Sequence, residues 1–358
     1  MTKKILILTI FCFLFVQKIH SQKNNTSLVK EIKIGLLISD NKSIEAKNAA
    51  QLAIDKANKV FKSKGIHFQL VVKSMEGPWG TGSKQAVDLI FKDKVWAILG
   101  SHKGQNAHLV EQVIAKMHTV FINSWATDVT LSQAFVPWYF SCVPNDKQQA
   151  NLLIKDIYKK NVNAKVAVIA DKSYDSKSAV NTFLNQVKLK GKSMPLQLFF
   201  ETADSENKTL INSLKKANIN NVILFCKPHL ALKFMAQMPL KNREQNFYGT
   251  LSIMGENKKS VVKGSPNTNL AFINFQKDYQ NKYGKIPSVK AAYSYDGVGI
   301  LIEAIRKSGF NRDKIQKTML NTDYQGITGS VKFDNKGNRI SNTGFIEISK
   351  SFLASVIK

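Results

Sequence analysis

Between residues 32 and 239, runs of strand character alternate with runs of helix character, and this alternation restricts the chain more than any single motif. Ile32-Lys-Ile-Gly-Leu-Leu-Ile38 is a nearly continuous apolar run of strand length, as expected for a strand covered on both faces. Residues 46–61 then place Ala49, Ala50, Leu52, Ala53, Ala57 and Val60 at helical spacing. Strand character returns at 68–74, 95–99 and 119–122, separated by helices at 83–91 and 106–116. The pattern then restarts. Helices at 146–160, 176–190, 207–217 and 230–238 interleave with strands at 165–170, 196–201, 221–225 and 247–250. Such alternation predicts an α/β fold with parallel sheets and right-handed crossovers. Helices at 270–283, 291–308 and 312–321 follow, and strands at 329–333 and 345–349 close the chain. With 358 residues, two lobes are expected rather than one.

The N-terminus predicts the compartment. Lys3 and Lys4 precede an apolar run over 5–16, which Lys18, His20, Ser21 and Gln22 end. A charged start, a short apolar core and a small residue near the end read as a cleavable signal peptide over 1–21. The run falls short of the roughly 20 apolar residues a membrane span needs. Cys12 follows bulky Ile10 and Phe11, where a lipoprotein cleavage site needs small residues. The expectation is an exported periplasmic protein, with no membrane segment after cleavage.

Removing 1–21 takes away Lys3, Lys4 and Lys18 and no acid, which lowers the net charge of +27 by three, to +24. The excess is almost wholly lysine, spread along the chain, with arginine only at Arg243, Arg306, Arg312 and Arg339. Specific nucleic-acid readers favour clustered arginine, so no nucleic-acid partner is expected. Cys142 and Cys226 are too few for a disulfide framework and match no metal spacing; they either pair with each other or, the favoured reading, are both buried thiols.

Three enzyme patterns fail on their details. Gly77-Pro-Trp-Gly-Thr-Gly-Ser-Lys84 nearly matches a phosphate loop, but serine and lysine are reversed. His102, His108, Glu111 and His118 include one His-x-x-Glu pair, a pattern common by chance. Ser124, Asp128 and His102 lack the strained Gly-x-Ser-x-Gly elbow of a nucleophile. No catalytic residue, metal or cofactor is expected.

The order of elements resembles the type I periplasmic solute-binding proteins, and the branched-chain amino-acid-binding group in particular. The resemblance rests on Ile32-Lys-Ile-Gly-Leu-Leu37, Lys94-Val-Trp-Ala-Ile-Leu-Gly100, Phe140-Ser-Cys-Val-Pro-Asn-Asp146, Lys165-Val-Ala-Val-Ile-Ala-Asp-Lys-Ser-Tyr174, Ala292-Tyr-Ser-Tyr-Asp-Gly297 and Gly326-Ile-Thr-Gly-Ser-Val-Lys-Phe-Asp-Asn-Lys-Gly337. It covers nearly the whole chain after the leader. It implies two Rossmann-like lobes joined by a three-segment hinge, with ligand held between them. Lobe I is expected at 31–143 plus 270–326, and lobe II at 144–269 plus 327–349. A flexible segment at 22–30 and a C-terminal tail at 350–358 flank them.

Ligands of open α/β sheets sit beyond the carboxyl ends of the strands, which selects the loops 75–82, 100–105, 123–128, 171–175 and 226–229. The family binds at the same places. Its Gly-x-x-x-Ser pattern gives a hydroxyl and backbone amides to a ligand carboxylate. Here Gly104 stands in place of the serine, with Gln105, His102 and Lys103 beside it. Thr127 keeps the threonine of the family's Ala-Thr pattern, and Trp125 replaces a small residue. Tyr174 matches the tyrosine that closes over the ligand. Leu251 stands where the family's amino-acid binders place an acid against the ligand ammonium. Glu76 or Asp296 is the candidate substitute, and Trp79 with Trp125 and Tyr174 suits an aromatic or organic acid. The resemblance implies a monomeric, non-enzymatic binder of a small molecule that serves an ABC permease or a membrane sensor.

Overall fold

A computed structural model describes residues 30–200, 207–238, 245–254, 270–340 and 346–348. The leader at 1–21, most of the 22–30 segment, the stretch at 255–269 and the tail at 350–358 lie outside the described residues.

The first half lays down β1 (Lys30–Ile38), α1 (Ile44–Phe61), β2 (Ile66–Ser74), α2 (Thr81–Phe91), β3 (Ala97–Ser101), α3 (Gly104–Met117), β4 (Phe121–Asn123), α4 (Thr130–Gln133) and β5 (Tyr139–Ser141). Its five strands are parallel, in the order β2-β1-β3-β4-β5. The apolar runs explain the centre of this sheet. β3 is buried along its whole length, and β1 is buried from Ile34 to Ile38. Helices on both faces leave these strands no solvent side, hence no period-two alternation.

The second half follows with α5 (Asp146–Lys160), β6 (Val166–Ala170), α6 (Tyr174–Leu189), β7 (Leu196–Phe199), α7 (Lys208–Lys216), β8 (Asn221–Phe225), α8 (Pro228–Gln237) and β9 (Asn246–Gly249). α9 (Leu270–Tyr283), α10 (Val289–Lys307) and α11 (Arg312–Leu320) come next, then β10 (Tyr324–Gly326), β11 (Gly329–Val331) and β12 (Ile346–Ile348). The second sheet runs β7-β6-β8-β9-β12, with β12 alone antiparallel. The two sheets thus share one strand order and differ in the direction of the fifth strand, each opening at the point where strand order reverses beside its first strand.

α10 is the structural spine of the first lobe. Its buried residues run from Val289 to Ile305, and it packs against α1 and β3. The β10–β11 hairpin hangs from it: Asp296 accepts from the Ile327 amide (2.9 Å) and the Thr328 amide (2.8 Å). These bonds hold the hairpin, a two-stranded sheet of its own, against α10.

Two described crossings are tied together. The Ser141 amide donates to Gly337 O (2.8 Å), and the Arg339 amide donates to Ser141 O (3.1 Å). Asn145 caps α5 through a capping box with Gln148 and reaches Asn338 Oδ1 (3.1 Å). The Arg339 side chain, fully buried, binds the carbonyls of Cys142, Thr328 and Ser330.

Candidate functional site

The carboxyl ends of β3 and β4 face the first turn of α6 across the space between the lobes. Local chemistry shapes each side. The buried Asn123 side chain fixes the loop after β4, accepting from the Trp125 and Ala126 amides (3.1 and 2.8 Å) and donating to Ala126 O (2.6 Å). Ser173 caps α6 through the Ser176 amide. Asp171, after β6, accepts from the Ser173 and Lys227 amides and so ties two loops of the second lobe together.

Asp128 is the meeting point. From its own lobe it receives the Thr130 amide (2.9 Å) and hydroxyl (2.8 Å), and His108 Nε2 lies 3.2 Å away. From the other lobe it receives the Tyr174 hydroxyl (2.8 Å) and the Ser178 hydroxyl (3.2 Å). A second crossing joins the Gly104 amide, at the start of α3, to Asp175 Oδ1 (3.0 Å). The His108 ring stands edge-on to Tyr174, with centroids 6.5 Å apart.

The charges follow from these contacts. Burial pushes the Asp128 carboxyl up, but the His108 and Thr130 bonds outweigh it and hold the group well below the usual range. His108, bonded to Asp128 and Glu111, is raised to about 9 and is an imidazolium at neutral pH. Tyr174 is raised to about 12, first by burial and then by Asp128, so it stays a phenol donor. Burial raises the Asp175 carboxyl, and the Gly104 amide offsets part of the rise.

The residues expected at the site divide into two groups. Gly104, Thr127 and Tyr174 lie at the meeting of the lobes, and Thr127 O accepts from the Asp146 amide at the first crossing (2.7 Å). Trp125 is half-buried on the same loop, with Lys290 Nζ 5.5 Å from its ring. Gln105 is exposed on the first turn of α3. Glu76 accepts from the Asn41 amide (3.2 Å) and side chain (3.1 Å), which joins the loops after β1 and β2. Trp79 is 73% exposed on the loop before α2.

His102, near Gly104 in the sequence, turns into the core. It is fully buried and stacked on Phe121, and burial lowers it to about 4, so the ring is neutral. Asp296 is buried, and its carboxylate accepts from the Ile327 and Thr328 amides of the β10–β11 hairpin. Leu251 is buried, and its amide donates to Gln149 Oε1 (2.9 Å). Asp175 and Ser178 went unnoticed in the sequence. Their signal was spacing: Ser178 lies one helical turn after Tyr174, and Asp175 is its neighbour.

Lys84 pairs with Asp88 along α2 (3.0 Å), and the Ser124 hydroxyl donates to Gly100 O (3.0 Å) rather than to a histidine. Among the described residues no group of three or more His, Cys, Asp or Glu side chains is arranged to hold a metal. Nor is any described helix long and apolar enough to cross a membrane. A cavity of about 1090 Å³ opens between α1 and α9, lined by Lys56, Lys59, Lys62 and Asn281 among others. It is a groove of lysine stems on the outer side of the first lobe, away from the strand ends.

Solved structures share this architecture. LivJ, the branched-chain amino acid transporter substrate-binding protein of Streptococcus pneumoniae in complex with isoleucine, superposes with a TM-score of 0.67 at 18% identity, covering 87% of this chain and 94% of its own. A solute-binding protein of an ABC transporter from Rhodopseudomonas palustris in complex with 3,4-dihydroxybenzoic acid gives 0.73 at 17%, covering 89% and 96%. A second from R. palustris, in complex with benzoate, gives 0.72 at 16%, covering 89% and 94%. No curated protein matches the sequence. The model of the receptor family ligand binding region matches residues 45–350. With that match spanning both lobes and the hinge between them, the chain belongs to the receptor ligand-binding-region family, built on the type I periplasmic binding fold.

Proposed function

We propose that the protein is an exported, non-enzymatic solute-binding protein that takes a small molecule between its lobes and presents it to an ABC permease. The observation that carries this reading is the meeting of two repeated α/β lobes at their strand ends, with Trp125, Thr127, Gly104 and Tyr174 on the facing loops. The solute is an amino-acid-like, aromatic or organic acid. Support comes from the neighbours in complex with isoleucine, benzoate and dihydroxybenzoic acid, and from the two aromatic side chains beside the cleft. The absence of an acid at Leu251 favours the aromatic and organic acids, because a buried ammonium needs a counter-charge.

Capture works by hinge closure, since a solute that touches both lobes favours the state in which they meet. Export follows from the leader at 1–21, and the working state is a monomer. A second reading, a ligand sensor or accessory protein without transport, is favoured by the bonds that the lobes already make to each other.

A thermal-shift screen of residues 22–358 against amino acids, aromatic acids and short organic acids tests the proposal. Saturable stabilisation by one class is expected. No shift with any class would remove the solute-binding reading and leave the accessory one.

A further inference from the structure

The lobes are joined across the cleft by their own side chains. Tyr174 and Ser178 of α6 both donate to Asp128 of the first lobe, and Gly104 of α3 donates to Asp175 of the second. The last of these bonds is the informative one. A free amide at the start of a helix, in the positive field of its dipole, is a natural seat for a carboxylate. Here the seat is taken by a carboxylate of the chain itself.

The residue at 104 fits this arrangement. A Cβ there would lie 2.9 Å from Asp175 Oδ1 and 3.2 Å from Asp128 Cβ. Asp175 Oδ1 is the far end of a rotatable side chain, so the strain of a larger residue is relieved by pushing that carboxylate off the amide. Glycine at 104 and aspartate at 175 are therefore coupled: the first makes room for the second. The Asp128 contacts close the same interface from the opposite direction, because their donors stand on the first two turns of α6 and their acceptor on the loop after β4.

We infer that Asp175 is a built-in occupant of the cleft's anion position, and that its bond to the Gly104 amide, with the Asp128–Tyr174 bond, holds the lobes together before any solute arrives. Building on the solute-binding reading, Asp175 then sets specificity. A solute carboxylate reaches the Gly104 amide only by displacing Asp175, so its apparent affinity is reduced by the fraction of molecules in which that amide is free.

Pulsed electron paramagnetic resonance on a doubly labelled protein decides the matter. Labels go on Lys116→Cys at the end of α3 and Lys188→Cys at the end of α6, both exposed, with the buried Cys142 and Cys226 left in place. Without solute, one narrow distance population is expected. Asp175→Asn, which weakens the acceptor, and Gly104→Ala, which keeps the carboxylate but crowds it, should each shift the population to longer and broader distances. A broad, long population in the unsubstituted background, or no change in either variant, overturns the inference.

Benzoate titration of the same proteins reads the solute-binding proposal separately. If the free-amide state makes up a tenth of molecules or less, Asp175→Asn raises benzoate affinity about tenfold or more. Benzoate binding that Asp175→Asn leaves unchanged overturns the competition. Binding to neither protein, with distances that still respond to the two variants, removes benzoate as a solute and upholds the self-closure.

Discussion

Replacing Arg339 by methionine should cost more stability than any other single change at the hinge. The guanidinium is fully buried, and its hydrogen bonds include Nη1 to Cys142 O (2.9 Å) and Thr328 Oγ1 (2.9 Å), and Nη2 to Thr328 O (2.8 Å) and Ser330 O (3.0 Å). Methionine fills similar length but leaves three carbonyls without these donors, at about 1–3 kcal/mol for each group that stays dry. It also removes a positive charge that adds to the Thr328 and Ile327 hydrogen bonds in offsetting burial at Asp296. Losing one member of a buried charged network costs about 3–5 kcal/mol. Since these contributions overlap, about 4 kcal/mol is expected, a large part of the roughly 5–15 kcal/mol that stabilises a typical fold. Urea denaturation followed by circular dichroism should show the midpoint fall by about 1 M or more, for a slope near 3 kcal/mol per molar. Arg339→Lys keeps the charge but loses the planar fork, and should fall between. A methionine variant within about 0.5 kcal/mol of the parent would refute the view that this side chain holds the crossings together.

Other consequences follow from single contacts. His108 is raised from 6.5 to about 9 by Asp128 and Glu111, so its contribution to stability is fully present below pH 6.5 and is lost as pH rises through about 9. The ring is partly exposed, so solvent screens the pair and the loss is about 1–2 kcal/mol, less than the full shift would give; His108→Gln should flatten that part of the stability–pH curve, and an unchanged curve would show that the imidazolium is not what holds Asp128. Gly337 has φ 76°, and a Cβ there would overlap the Tyr139 carbonyl oxygen, so Gly337→Ala should destabilise by about 2 kcal/mol or more in the same urea assay. Burial raises the Cys142 thiol to about 12 and raises Cys226 as well, so neither should react with a thiol reagent at pH 8 unless the protein is first unfolded. Rapid native labelling of both would contradict their burial.

The centres of the sheets were legible because β3, β6 and β8 are covered on both faces, so that each shows as a short apolar run between turn residues. Asn221–Phe225 and Leu270–Tyr283 fall on their expected bounds. Short elements left no such trace. β5 (Tyr139–Ser141) is a three-residue edge strand, β10 (Tyr324–Gly326) has three residues, and α4 (Thr130–Gln133) is a single turn, none long enough to display a period. The strand expected at 95–99 begins instead at Ala97, because Lys94 takes a positive φ of 57° and the turn extends through it.

The site was legible as a set of loops, since the rule that ligands lie beyond strand ends needs only the strands. Its contacts were not. Asp128 meets Tyr174 and Ser178 at separations of 46 and 50 residues, and Gly104 meets Asp175 at 71. Pairings at such range leave no local pattern. His102 shows the opposite failure: it reads as a loop residue, but the end of β3 turns its ring inward onto Phe121, where the core keeps it neutral.

Isothermal titration calorimetry on residues 22–358 tests the presence of a solute between the lobes most directly, with isoleucine, benzoate and short organic acids titrated into the parent protein and into Asp175→Asn. One class should bind at a single site per chain with a negative heat-capacity change, as burial of apolar surface requires. Trp125→Ala and Thr127→Ala should each weaken it by about tenfold or more. Heat flat across every class, in both the parent and Asp175→Asn, would contradict the solute-binding function proposed for this chain.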